Sequence, residues 1–216
     1  MRRVTLEICA YALILLWSSA AFGASDVVLF YGWGPDGWSA GIDQIARKVR
    51  TLRGVDATWV GDYSRVQDAF NWAVARPAEH SLACVGYSCG GNSCVNFCGG
   101  MNRHNRSCAV IALQPSQWCG RRYPATPNMI VQDTWSPWTW GLGSLQVGGP
   151  PARYTTYIER QNPHGAADTD VQYQRDAVFA VGAVADPSRR YLLERHLIRT
   201  APHVDRQDAF VIWRRE

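Results

Sequence analysis

The sequence predicts an α/β protein, a three-layer sandwich in which a mostly parallel sheet carries helices on both faces. Three observations lead there. Short apolar runs recur along the chain, at 27–31, 57–60, 82–85 and 109–113. Segments with helical spacing of apolar residues lie between them. The runs are continuously apolar rather than alternating, which marks strands covered on both faces.

Val27 to Tyr31 is the first strand and ends at Gly32. Ile42, Ile45, Val49 and Leu52 form a helical stripe that stops at Gly54, a residue suited to a helix end. Ala57 to Val60 is the second strand. The next helix is expected over Ser64 to Val74, with Ser64 as its cap and Pro77 closing it. Leu82 to Val85 is the third strand, followed by a glycine-rich turn, Gly86 to Gly91, and a helix to Phe97. Ala109–Leu113, Asn128–Gln132 and Tyr154–Ile158 read as three more strands. Helices are expected within 171–183 and 187–199, the latter opening on Asp186-Pro187.

At 216 residues, 47% hydrophobic and 19% charged, the chain can bury one good core. Its formal charge of +4 rests on scattered arginines, with Lys48 the sole lysine, so no basic stripe argues for nucleic acid. Arg2 and Arg3 precede an apolar run, Cys9 to Trp17, and then Ala21-Phe22-Gly23. This pattern predicts a signal peptide over 1–23, an exported (periplasmic or secreted) single domain over 24–216, and no stable membrane span after cleavage. Six of the seven cysteines lie between Cys84 and Cys119 without a C-x-x-C pair, which favours disulfides over zinc. One or two bridges are expected within 94–119, with Cys84 or Cys89 left as a buried thiol.

In a parallel sheet, chemistry gathers at the carboxyl ends of the strands. Ser88 follows the third strand in Gly86-Tyr87-Ser88-Cys89-Gly90. A strand-to-helix turn of this kind exposes a serine hydroxyl as a nucleophile and aims the next backbone N–H, that of Cys89, at a developing oxyanion. A serine needs a base. His80 precedes its strand, His104 lies in a polar loop, and His196 and His203 lie in or beyond the last helix. His164 follows the sixth strand and comes after the serine in the chain, so it is the expected base. Asp133, at the end of "NMIVQD", is the expected acid, although an Asx turn or a helix cap fits it equally. Asp168, four residues after His164, is the alternative acid.

These residues resemble the α/β-hydrolase superfamily, specifically its small serine esterases, lipases, cutinases and thioesterases. "VVLFYGWGPDGWSAGIDQIARKVR" is similar to their first strand, oxyanion loop and first helix. "VGYSCGGNS" resembles their nucleophile elbow, and "NPHGAADTDVQ" their histidine loop. The resemblance implies a Ser88–His164–acid triad, with backbone donors from Cys89 and from Trp33 or Gly34. It also implies action on a carboxylic ester or thioester and no metal or organic cofactor. One departure stands out: where some relatives carry an Asp-Pro after the next strand, this chain has Gln114-Pro115. Trp38, Tyr87, Trp135 and Trp138 are the expected substrate-binding aromatics, suited to an acyl chain or a sugar ring, or else to packing loops on the sheet. The alternative function is binding of a lipid or glycan without turnover.

Overall fold

The computed structural model describes residues 24–34, 39–116, 119, 122–124, 129–133, 146–148, 155–159, 164–166 and 168–189. The expected signal peptide, Trp38, Trp135, Trp138 and the segment after Arg189 lie outside them.

Six strands form one sheet: β1 (Ser25–Phe30), β2 (Val55–Gly61), β3 (Ser81–Tyr87), β4 (Cys108–Leu113), β6 (Met129–Asp133) and β8 (Thr155–Glu159). Their order is β2-β1-β3-β4-β6-β8, and every neighbouring pair is parallel. Two three-residue strands, β5 (Arg122–Pro124) and β7 (Gln146–Gly148), pair separately. They are too short to leave a period in the sequence.

Four helices complete the layers: α1 (Ala40–Val49), α2 (Val66–Val74), α3 (Cys89–Arg103) and α4 (Val171–Ala185). Parallel crossovers are right-handed, so the direction of each step along the sheet decides the face its helix covers. The chain steps one way from β1 to β2 and the other way from β2 to β3, so α1 and α2 cover opposite faces. Val27, Leu29, Ala83, Val85, Tyr87, Ile111 and Leu113 pack against α1 and α4. Val28, Phe30, Leu82, Cys84, Val110 and Ala112 pack against α2 and α3. Both faces being covered explains why β1 and β4 are buried at every residue. On α1, Ile42, Ile45 and Val49 are wholly buried, each contributing about 2 kcal/mol.

Several boundaries differ from those expected. Ser64 does not cap α2, whose N-cap is Arg65. The Ser64 hydroxyl and N–H are both spent on Asp62 Oδ1, at 2.6 and 2.8 Å. α1 ends at Val49 rather than Leu52, and Thr51 Oγ1 donates to the Lys48 carbonyl at 2.7 Å. α3 starts at once after Ser88 and runs on to Arg103. Only a short 3₁₀ turn, Pro187–Arg189, is described of the expected last helix. Among the described residues no helix is long and apolar enough to cross a membrane.

The cysteine expectation is corrected more sharply. Three bridges form, Cys84–Cys94, Cys89–Cys119 and Cys98–Cys108, so neither Cys84 nor Cys89 is a free thiol. Each bridge has one end on α3. Cys94 and Cys98 are about 6 Å apart along the helix. Their partners face them from β3 and β4, where Cys108 registers with Leu82, two residues before Cys84, an offset of about 6.6 Å. The helical and strand periods therefore match. Replacing Cys98 and Cys108 together by alanine is expected to lower stability by about 3 kcal/mol, checked as a reduced urea midpoint with an otherwise native circular dichroism spectrum.

Candidate active site

β1 lies between β2 and β3, and the helices leaving β1 and β3 depart to opposite faces. A crevice opens at such a switch point, outside the carboxyl ends of the two strands. Phe30 registers with Gly86, which brings Gly32 beside Ser88. The two are so close that a Cβ on Gly32 would stand 3.0 Å from Ser88 Cβ.

Ser88 is the last residue before α3 and has φ 53°, ψ −123°. That region is sparsely populated by residues with a side chain, and holding one there costs about 1–3 kcal/mol. The surroundings enforce it. Ser88 N–H donates to the Leu113 carbonyl at 2.9 Å, and the Ser88 carbonyl accepts from Gly91 N–H at 3.0 Å. The glycines on either side permit the close approach that the turn needs. A Cβ on Gly86 would lie 2.1 Å from the Gly90 carbonyl oxygen, and one on Gly90 would lie 2.4 Å from that of Phe30. A strand that ends here and a helix that starts here leave Cys89 N–H in the first helical turn. N–H groups there lack intrahelical acceptors and add to the positive end of the helix dipole.

The other expected donors lie in the loop after β1. Ser39 Oγ accepts from Gly32 N–H at 2.9 Å, latching the two ends of the 32–39 loop together. Within it Gly34 has φ 139°, and the Trp33 side chain is 62% exposed. Tyr87, expected at the mouth, is instead buried among Ile42, Ile45 and Tyr173. The reason is the strand's period of two, which turns Ala83, Val85 and Tyr87 to the α1 and α4 face. Its hydroxyl is pushed well above the ordinary tyrosine range, by burial first and then by the negative charge of Asp168.

Register carries the edge further. Tyr87 pairs with Leu113, Leu113 with Gln132, and Gln132 with Ile158. One residue on, Ser88, Gln114, Asp133 and Glu159 share a row at the carboxyl edge. Ser88 and Asp133 are separated by one strand, so their backbones are about 10 Å apart. Gln114, between them, is fully buried with φ 43°. Its Nε2 donates to the Tyr173 hydroxyl at 3.1 Å, tying the end of β4 to α4. His164 opens a short 3₁₀ turn, His164–Ala166, after β8.

Two contacts had no signal in the sequence. Asn92 clamps Ser116 in both directions, donating to its carbonyl at 2.9 Å and accepting from its N–H at 3.0 Å. Asp168 is fully buried, and its Oδ2 accepts from Gly41 N–H at 2.9 Å, 127 residues away in the chain.

No protein-family model and no curated protein sequence matches the chain. Solved structures do. One is the NocB thioesterase domain in covalent complex with a fluorophosphonate nocardicin G analogue (TM-score 0.50, 11% identity, 75% of this chain and 94% of that one). Another is a cutinase-like protein from Cryptococcus sp. (TM-score 0.50, 12% identity, 76% of this chain and 95% of that one). The fold is that of the α/β-hydrolases.

In this α/β-hydrolase fold, the grouping among described residues that resembles a metal site lies at the far end. Asp26, Asp56 and His80 bring ligand atoms within 4.8 Å of one another at the amino edge of the sheet. Arg76 already fills the space between them, pairing with both carboxylates. His80 Nδ1 lies 3.1 Å from the buried Asp26, which accounts for that histidine structurally.

Burial raises the Asp168 carboxyl above the ordinary carboxylate range, against the opposing pull of the Gly41 and Ile42 N–H groups. Between the ordinary range and the raised value, the native state holds a proton that the unfolded chain has lost. Stability from this group therefore falls as pH rises through that window, and its charge is a net cost at neutral pH. Asp168→Asn removes the charge and keeps an oxygen for Gly41. It is expected to melt higher than the parent near neutral pH, the gain vanishing as pH falls to the ordinary carboxylate range, as read by thermal unfolding across pH.

Proposed function

We propose that the protein is an exported serine hydrolase that cleaves a carboxylic ester or thioester. The observation that carries this reading is Ser88 itself, a non-glycine residue held at positive φ between β3 and α3. It stands at the switch point of an α/β-hydrolase sheet, with a helix N-terminus beginning at the next residue. Three disulfides support maturation in an oxidising compartment, in keeping with the signal peptide expected over 1–23.

Ser88 Oγ attacks the substrate carbonyl while His164 takes its proton. Main-chain N–H groups of Cys89 and of Trp33 or Gly34 hold the tetrahedral oxyanion. His164 then gives the proton to the leaving oxygen or sulfur, and water clears the acyl-enzyme by the same route in reverse. Asp133 orients the imidazole and stabilises its cation. The register row supports this choice of acid. It puts Asp133 one strand beyond Gln114, and the gap of about 10 Å to Ser88 suits an imidazole hydrogen-bonded on both sides. Gln114 carries no charge, and its amide is engaged by Tyr173.

A second reading, ligand binding without turnover, draws on Trp33, an exposed aromatic in the loop after β1. It predicts tight binding of a lipid or glycan by a protein that neither hydrolyses esters nor labels.

The purified protein is expected to hydrolyse short p-nitrophenyl esters and to be labelled by a fluorophosphonate. Ser88→Ala should abolish labelling and lower kcat by at least about a thousandfold; equal turnover by the variant overturns the assignment. Asp133→Asn is expected to lower kcat by about 10⁴-fold while leaving KM and the fold largely intact, and steady-state kinetics beside circular dichroism would show it.

A further inference from the structure

α1 presents a capping problem. Its N-cap residue is Ser39, a residue type whose hydroxyl ordinarily satisfies an N–H of the first helical turn. Ser39 makes no such bond, because its Oγ accepts from Gly32 N–H and closes the loop that follows β1. The first-turn N–H of Gly41 goes instead to Asp168 Oδ2, from the segment that follows His164.

The fit between that segment and α1 is close. A Cβ on Gly41 would overlap the Asp168 carbonyl oxygen, at 1.9 Å, so the two backbones touch and only glycine allows it. Gln174, itself buried, extends the joint along both elements. Its Nε2 donates to the Asp168 carbonyl at 2.9 Å and to Gln44 Oε1 at 2.8 Å, and its Oε1 accepts from Lys48 Nζ at 2.5 Å. On the other side, the Ala166 carbonyl accepts from Asp170 N–H and Thr169 Oγ1, each at 3.0 Å. The turn that begins at His164 is thereby fastened to the same residues.

We propose that Asp168 is a positioning residue, which caps α1 from across the fold and so holds the His164 turn in register with the loop after β1. The inference rests on the reading of His164 as the base. It gives the second carboxylate near the histidine a role other than triad acid. The Asp168 Oδ2 is committed to a helix N-terminus, where an asparagine oxygen serves nearly as well, whereas a triad acid requires the negative charge. The joint also links the loop after β1, which lies beside Ser88 at Gly32, to the segment that follows His164. Ser39 sets one through Gly32, and Asp168 sets the other through Gly41, on the same turn of α1.

Charge and shape are separated by comparing Asp168→Asn with Asp168→Ala. Kinetics on p-nitrophenyl butyrate across pH are read together with hydrogen exchange of the 164–170 amides. The alanine variant is expected to lose exchange protection in that segment, with kcat reduced about tenfold to a hundredfold and KM little changed. The asparagine variant is expected to recover both, with kcat within a few-fold of the parent and the same pH profile. A fall in kcat of about a thousandfold or more in the asparagine variant, with protection intact, would make Asp168 the triad acid and overturn the proposal. Wild-type kcat and protection in the alanine variant would overturn it too. Should the parent neither turn over esters nor label at Ser88, the hydrolase reading falls. The exchange comparison still decides whether Asp168 is the anchor.

Discussion

One backbone approach governs the carboxyl edge of this protein: α3 starts hard against β1 and β3, with Gly90 facing the carbonyls of Phe30 and Tyr31. No side chain fits there. A Cβ at Gly86 or Gly90 would push the helix off the sheet, and Ser88 would relax out of its strained turn. With the approach in place, Ser88 is held by backbone bonds from both neighbours, β4 through Leu113 and α3 through Gly91. The strain, about 1–3 kcal/mol, is offset by contacts that are set before any ligand arrives.

The rest of the edge is arranged by the same economy of shared groups. Ser39 gives its hydroxyl to the loop after β1 and not to its own helix, so α1 takes its cap from Asp168. Gln114 reaches α4 through Tyr173, and Asn92 holds Ser116. Each contact ties one carboxyl-end loop to a helix on a buried face. At the opposite, amino edge Asp26 pairs with both Arg76 and His80.

Much of the fold was legible because the strands buried on both faces announce themselves as unbroken apolar runs, and β1, β3 and β4 lie where those runs are. The Gly86-Tyr87-Ser88-Cys89-Gly90 turn was legible for a related reason, since two glycines flanking a serine between strand and helix have few other uses. The inward direction of Tyr87 was legible in the strand alternation that runs through Ala83 and Val85. The disulfide partners were not legible at all. Cys84 in a strand and Cys94 in a helix carry no local mark of their pairing. Asp168 and Gly41 meet across 127 positions, a distance over which residue patterns say nothing. Asp133 and His164 stood out by their order in the chain, and the strand register adds the place of Asp133 in the row at the carboxyl edge.

The three cystines have a consequence for how the chain must mature. Cys94 and Cys98 are four residues apart, and Cys84 and Cys89 five, so an unfolded chain closes those wrong loops more readily than the native ones. Only when α3 lies on β3 and β4, in register, does each sulfur face its proper partner. Oxidation that outruns folding would therefore trap mispaired forms, and thiol–disulfide exchange would have to undo them. The cysteines thus record the fold rather than direct it, and the yield of correctly bridged protein will depend on the isomerising capacity of its surroundings as much as on their oxidising power.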